Sequence, residues 1–171
     1  MRIRDSGKVS EDEFTRLVEP LLGRGAAYAY SILRSREDAE DALQEAVIKA
    51  YVNSEQYLPC YSFKAWLFAI LRNSCMDLLR KRKPIRTMDV NDPSLSLAAK
   101  DNHANLERKN QIEWALGKIP PEHREILELK YFAELSYKEI AETLGIPEGT
   151  VMSRLYAARL KMAEILGKEI K

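Results

Sequence analysis

Cysteine and histidine are scarce in this chain, two of each in 171 residues. Cys60 and Cys75 are not spaced like ligands, and neither has a histidine beside it. A metal site needs three or four convergent donors, so both are read as reduced thiols and neither metal nor other cofactor is expected. His103 and His123 have no nucleophile or metal partner in view, which leaves no catalytic constellation and argues against an enzyme. No apolar run approaches the roughly 20 residues that a membrane-spanning helix requires. The first ten residues lack the apolar segment of an export signal, so the cytosol is the expected location. A charge excess is missing too, with 27 Lys/Arg against 26 Asp/Glu. That balance excludes a globally basic surface, and any contact with nucleic acid must come from local basic clusters. Strand-like alternation and internal repeats are also absent.

Helical periodicity fills most of the chain. Ser10 and Glu13 form a capping-box pair, and Phe14, Leu17, Val18, Leu21 and Leu22 follow as one apolar stripe. Pro20 and the Gly23-Arg24-Gly25 cluster predict a kink or interruption before the apolar run Ala26 to Leu33. Ser35 caps a second helix whose first turns hold Glu37, Asp38, Glu40 and Asp41, at the positive end of the dipole. Its expected buried face is Ala39, Leu43, Ala46, Val47 and Ala50. After a break over 53–61, Ser62 caps a third helix with Trp66, Leu67, Ile70, Leu71, Leu78 and Leu79 on its apolar side. This helix ends in Arg80-Lys81-Arg82-Lys83 and is stopped by Pro84. Residues 84–105 lose periodicity and read as a linker too polar to fold alone. Helical pattern returns at Leu106 to Leu116 and continues after Pro120-Pro121. The expected fold is all-α, two small helical domains at 10–83 and 106–171 joined by a flexible linker at 84–105.

The sharpest local signal runs from Leu135 to Val151. Ser136 and Glu139 form a capping box, and Ile140, Ala141 and Leu144 make the inner face of a short helix. Gly145 falls where the turn needs a left-handed backbone, which glycine adopts without the Cβ penalty. Ile146 plugs the turn, Pro147 suits a helix start, and Val151 and Leu155 face back to the core. This is helix-turn-helix spacing, whose second helix enters the major groove of duplex DNA. The outward positions Glu148, Thr150, Met152, Ser153, Arg154, Tyr156, Ala157 and Arg159 are the expected duplex-DNA contacts. A helical hairpin with a merely solvated face is the competing reading.

Three stretches in order now resemble the extracytoplasmic-function sigma factors of bacterial RNA polymerase, a group of the sigma-70 family. Residues 36–45 resemble region 2.2, residues 62–83 resemble regions 2.3 and 2.4, and residues 119–159 resemble region 4. The resemblance implies that Asp41, Gln44 and Glu45 bind core polymerase at the coiled coil of its β′ subunit, with further contact on the β subunit. Acids near the start of a helix also complement its dipole, but Gln44 gains nothing from that. It further implies that the third helix and the loop before it open and hold the −10 element. Tyr57, Tyr61, Lys64, Trp66, Arg72 and Asn73, with Lys81, Arg82 and Lys83 on the backbone, match that role. Single strands are held by aromatic stacking and basic side chains on phosphates. Trp66, at i, i+4 spacing to Ile70, fits a core position better than a base platform. The helix-turn-helix then reads the −35 element as duplex.

The family commonly carries basic residues where Met152 and Ala157 stand here, so a weaker −35 contact with a shallower salt dependence is expected. Partners implied by the resemblance are core polymerase, promoter DNA and an anti-sigma factor, often one held at the membrane; no small-molecule substrate is expected. The main rival is a stand-alone helix-turn-helix regulator with a helical sensor or dimerisation domain, which predicts a palindromic site. A purely protein-binding helical adaptor explains neither the turn glycine nor the Arg80–Lys83 cluster.

Overall fold

The computed structural model describes residues 9–81 and 103–169, and every regular element among them is helical. The order is α1 (Glu11–Val18), a 3-10 turn (Glu19–Leu21), α2 (Leu22–Leu33), α3 (Arg36–Val52), a second 3-10 turn (Ser54–Gln56) and α4 (Phe63–Lys81). The second half holds α5 (His103–Lys118), α6 (Pro121–Tyr131), α7 (Tyr137–Leu144) and α8 (Glu148–Glu169). Arg82, Lys83 and nearly all of the stretch read as a linker lie outside the described residues.

Local chemistry sets most of the boundaries. The Ser10 hydroxyl accepts from the Glu13 N–H at 3.3 Å, and three acids follow in the first turn of α1. Pro20 shortens the end of α1 into a 3-10 turn, as its missing N–H requires. The glycines do not interrupt: Gly23 and Gly25 both lie inside α2. Gly25 is buried because α3 crosses there, and a Cβ at that position would come within 2.7 Å of Leu43 Cδ1. Arg34, with φ +54°, ends α2 in the left-handed region, and Ser35 then caps α3 through the Asp38 N–H.

Helix α3 lays a row of small residues against its neighbours. Ala39, Ala42, Ala46 and Ala50 are fully or almost fully buried, whereas Leu43 and Val47 are only half-buried. Alanines permit the close approach that larger side chains would block. On α4 the buried face is Phe63, Leu67, Phe68, Leu71, Ser74 and Cys75; Leu79, expected inside, is exposed. Phe68 meets Tyr28 of α2 edge to face, with centroids 5.6 Å apart. A second cluster joins Phe14, Phe63 and Leu67 to Val18 and Ala50.

The two halves share a core. Tyr28, Phe68, Leu71 and Cys75 belong to the same buried cluster as Ile126, Leu129, Leu135, Ile140, Val151 and Leu155. Burying side chains of this size stabilises by about 1.5–3 kcal/mol each relative to exposure. Within the second half the capping box of α7 is complete: the Ser136 hydroxyl accepts from the Glu139 N–H, and the Glu139 carboxylate accepts from the Ser136 N–H. Gly145 has φ +64° and closes α7; the Pro147 carbonyl then accepts from Thr150 and Val151 to open α8.

Gly23 and Gly145 both have open space around a would-be Cβ, so only backbone conformation separates them. Gly23→Ala is expected to stabilise by about 0.5–1 kcal/mol through helix propensity. Gly145→Ala is expected to destabilise by about 1–2 kcal/mol through left-handed strain. Denaturant melts of the two variants check this; equal effects of the two substitutions would contradict it.

Candidate nucleic-acid interface

Three surfaces carry the residues singled out in the sequence. On α8 the core side is Val151, Leu155 and Ala158, all 1% exposed or less. That fixes the opposite side outward. Glu148, Met152, Ser153, Tyr156 and Arg159 are exposed, while Thr150, Arg154 and Ala157 are half-buried. Met152 and Tyr156 are 54% and 67% exposed, one turn apart on the same face. The Ser153 hydroxyl donates back to the Thr150 carbonyl at 3.1 Å. Arg159 sits lower, with Nε donating to the Tyr131 hydroxyl at 3.1 Å and its guanidinium over the Tyr131 ring.

The second surface is the N-terminal half of α4 with the loop before it. Tyr57 packs edge to face on Phe63 and tilted on Trp66, and its hydroxyl donates to the Tyr61 carbonyl. Trp66 is half-buried and packs on Tyr57 and Phe63 behind the loop. Tyr61, Leu58 and Cys60 form the exposed rim of this stack. Asn73 and Lys81 point to solvent. Lys64 and Arg72 do not stand clear: Lys64 Nζ donates to the Glu134 carbonyl at 2.7 Å, and Arg72 pairs with the Glu125 carboxylate. Burial lowers the pKa of Lys64.

The third surface is one side of α3. Asp41, Gln44 and Glu45 are exposed, and Glu45 pairs with Lys49 at 2.8 Å. Ile48 and Val52 continue the same stripe, 56% and 66% exposed. The sequence reading missed both, though their spacing of four and eight residues from Gln44 is the signal that finds them. It also missed an apolar groove of about 500 Å³ among α5, α6 and α8, lined by Ile112, Leu116, Leu127, Tyr131, Phe132 and Met162 among others. Of these, Ile112 and Tyr131 are exposed, whereas Leu116 and Leu127 are buried.

Electrostatics at the seam between the halves centre on Glu128, 4% exposed. Burial pushes its carboxyl up to about 8, against the pull of Arg124 and Arg34 and with a smaller push from Glu125. The Tyr28 hydroxyl, buried nearby, makes no hydrogen bond among the described residues, and burial raises its pKa. The Cys75 thiol is pushed up to about 12, mainly by burial, which makes it inert as a nucleophile. No cluster of His, Cys, Asp and Glu among the described residues could hold a metal ion. No helix among them is long and apolar enough to cross a membrane.

With this geometry in place, comparison with known proteins is specific. The family description "Sigma-70 region 2" matches residues 17–85, and "Sigma-70, region 4" matches residues 109–162. The ECF RNA polymerase sigma factor SigW of Bacillus subtilis is 32% identical, covering 99% of this chain and 95% of that protein. Among solved structures, the sigma factor RpoE of Bartonella quintana, in complex with the anti-sigma factor NepR, aligns with TM-score 0.72 and 26% identity. That match covers 91% of this chain and 98% of the other. CnrH, in complex with the cytosolic domain of CnrY, aligns with TM-score 0.71 and 25% identity over 93% of this chain and 90% of the other.

The raised Glu128 carboxyl sets a pH dependence. The folded state favours its neutral form, so this contribution to stability is fully present below the ordinary carboxylate range and is lost as pH rises toward 8. Glu128→Gln removes the loss. Thermal melts are expected to show the variant gaining stability over the parent as pH rises from about 5 to about 8; a pH-independent difference between the two contradicts the assignment.

Proposed function

Because the chain belongs to the extracytoplasmic-function sigma factors of RNA polymerase, in the sigma-70 family, we propose a division of its promoter-directing role among the three surfaces. The observation that carries this reading is the pairing, in one chain, of a helix-turn-helix with an exposed acid-and-amide stripe that the duplex contact does not use. Residues 10–83 form the unit that binds core polymerase and holds −10 DNA, residues 84–105 the tether, and residues 106–171 the unit that reads −35 DNA.

Asp41, Gln44 and Glu45 offer acceptors and an amide to a basic partner surface, the β′ coiled coil, and Ile48 and Val52 add apolar area to the same contact. Such a pattern of charged groups beside apolar anchors suits a protein interface. The apolar groove among α5, α6 and α8 takes an amphipathic helix, which fits a second contact on the β subunit. Tyr57 and Tyr61 offer aromatic surface for unstacked bases, Asn73 a base-edge contact, and Lys64, Arg72, Lys81, Arg82 and Lys83 hold the strand. Trp66 serves by backing the loop. On α8, Arg154 with Thr150 and Ser153 carries most of the polar contact to the −35 duplex, and Met152 and Tyr156 add apolar contact with thymine methyls. Polymerase carries out the chemistry.

A stand-alone regulator explains only the second half and is not favoured, since sigma descriptions match both halves in order. The partners named with RpoE and CnrH are an anti-sigma factor and a cytosolic domain of CnrY. An inhibitor of this kind, covering the apolar stripe and groove, is part of the proposal here.

Run-off transcription from random promoter fragments with purified core polymerase tests the whole reading. Initiation is expected only when the chain is added. Gln44→Ala with Ile48→Glu is expected to lower initiation at least tenfold, about 1.4 kcal/mol of lost binding, while leaving the fold intact by circular dichroism. Tight DNA binding by the chain alone, with no initiation under any condition, contradicts it.

A further inference from the structure

Tyr131, the last residue of α6, is 57% exposed, although Ile126, Leu127 and Leu129 before it on that helix are buried. Its partner is Arg159 of α8. Arg159 Nε donates to the Tyr131 hydroxyl at 3.1 Å, and the guanidinium carbon lies 5.9 Å from the ring centroid, within cation–π reach. Tyr137, the first residue of α7, is a second acceptor: hydrogen bonding to the Tyr131 hydroxyl, and then to that of Tyr137, raises the pKa of Arg159. Lys130 Nζ in turn donates to the Leu135 carbonyl at 3.1 Å and lies 5.1 Å from the Tyr137 ring centroid. One guanidinium is thereby gathered where α6 ends, α7 begins and α8 passes. Hydroxyls are neutral, so they steer the cation without cancelling its charge; the Glu125 carboxylate at Arg72 does both.

Position along α8 decides what that charge meets. Arg159 follows Met152 by seven residues, two turns on along the same face. At about 1.5 Å per residue it lies about 16 Å along the helix from Glu148. The major groove is only about 12 Å wide and about 8.5 Å deep. A helix that leads into the groove with Glu148 and Thr150 therefore leaves Arg159 at its edge, among the phosphates. Tyr131 takes Nε, and N–H groups on the two Nη atoms remain for a phosphate, which a guanidinium engages through two parallel hydrogen bonds. We propose that Tyr131 is a positioning residue for the duplex contact, holding the Arg159 guanidinium on a backbone phosphate beside the −35 element. The proposal rests on the reading of α8 as the duplex contact and adds to it a residue outside that helix. An arginine side chain held beforehand loses less freedom on binding than one that must first be ordered.

The test uses the full chain at low salt, where weak binding is measurable. Phosphate contacts carry no sequence information, so the probe is a fluorescein-labelled duplex of mixed sequence, read by fluorescence anisotropy over a salt series. Arg159→Gln is expected to lower affinity about tenfold and to flatten the slope of log affinity against log salt by about 0.9, one phosphate contact. Tyr131→Phe keeps the ring and loses the hydroxyl. It is expected to lower affinity about threefold in the parent and to have no effect in the Arg159→Gln background. Proton–nitrogen NMR reads the Arg159 Nε–H directly, and its exchange with solvent is expected to speed up in Tyr131→Phe. Equal losses from Tyr131→Phe in both backgrounds, or no loss in either, overturn the proposal. Exchange as fast in the parent as in the variant does so too. If Arg159→Gln changes neither affinity nor slope while Arg154→Ala lowers affinity, the proposal falls and α8 still reads duplex. If neither arginine matters, the duplex reading of α8 fails, and the proposal with it.

Discussion

The edge-to-face contact between Tyr28 and Phe68 joins α2 to α4, and the rest of the structure is arranged around it. Both rings are fully buried. Phe68 orients α4 so that Leu71 and Cys75 continue the core toward Ile126 and Leu129 of the second half. The same orientation leaves Asn73 and the basic end of the helix in solvent. A helix that is apolar on one face and polar on the other has only one way to satisfy both faces at once. The alanine row of α3 completes the arrangement, because closely packed small side chains fix the angle at which the Gln44 stripe is shown.

The fold was most legible where short-range chemistry decides it. The Ser136–Glu139 box, the left-handed Gly145 and the helix start at Pro147 are each consequences of a few neighbouring residues, and the structure realises all three. The caps at Ser35 and Ser62 follow the same rule. Where distant parts of the chain meet, local reading falls short. Gly23 and Gly25 look like an interruption, yet α2 runs through them, with Gly25 buried where a Cβ would crowd the Leu43 side chain of α3. The partners of Lys64 and Arg72 lie 70 and 53 residues away, beyond any periodicity argument. Ile48, Val52 and the groove beside Tyr131 were missed for a related reason: apolar residues on helices are presumed core until the fold shows which of them nothing covers.

Physical economy links the candidate surfaces to one another. The chain is nearly neutral, and α8 carries few cations, so it offers little charge to a phosphate backbone. At the start of α4 the Ser62 N–H and hydroxyl donate to Glu142 and Glu139, and further along Arg72 pairs with Glu125. The small charge on α8 fits the proposed role, in which selectivity is expressed in company with polymerase. One of the acids that balance the composition, Glu125, lies against Arg72, a cation proposed for DNA contact.

Footprinting the chain on one of its own promoters, alone and with core polymerase, tests that dependence most directly. No protection by the chain alone is expected. With polymerase two separated blocks are expected, an upstream duplex block lost in Arg154→Ala and a downstream melted block lost in Asn73→Ala. A strong, symmetric footprint by the chain alone, unchanged by polymerase, would contradict it.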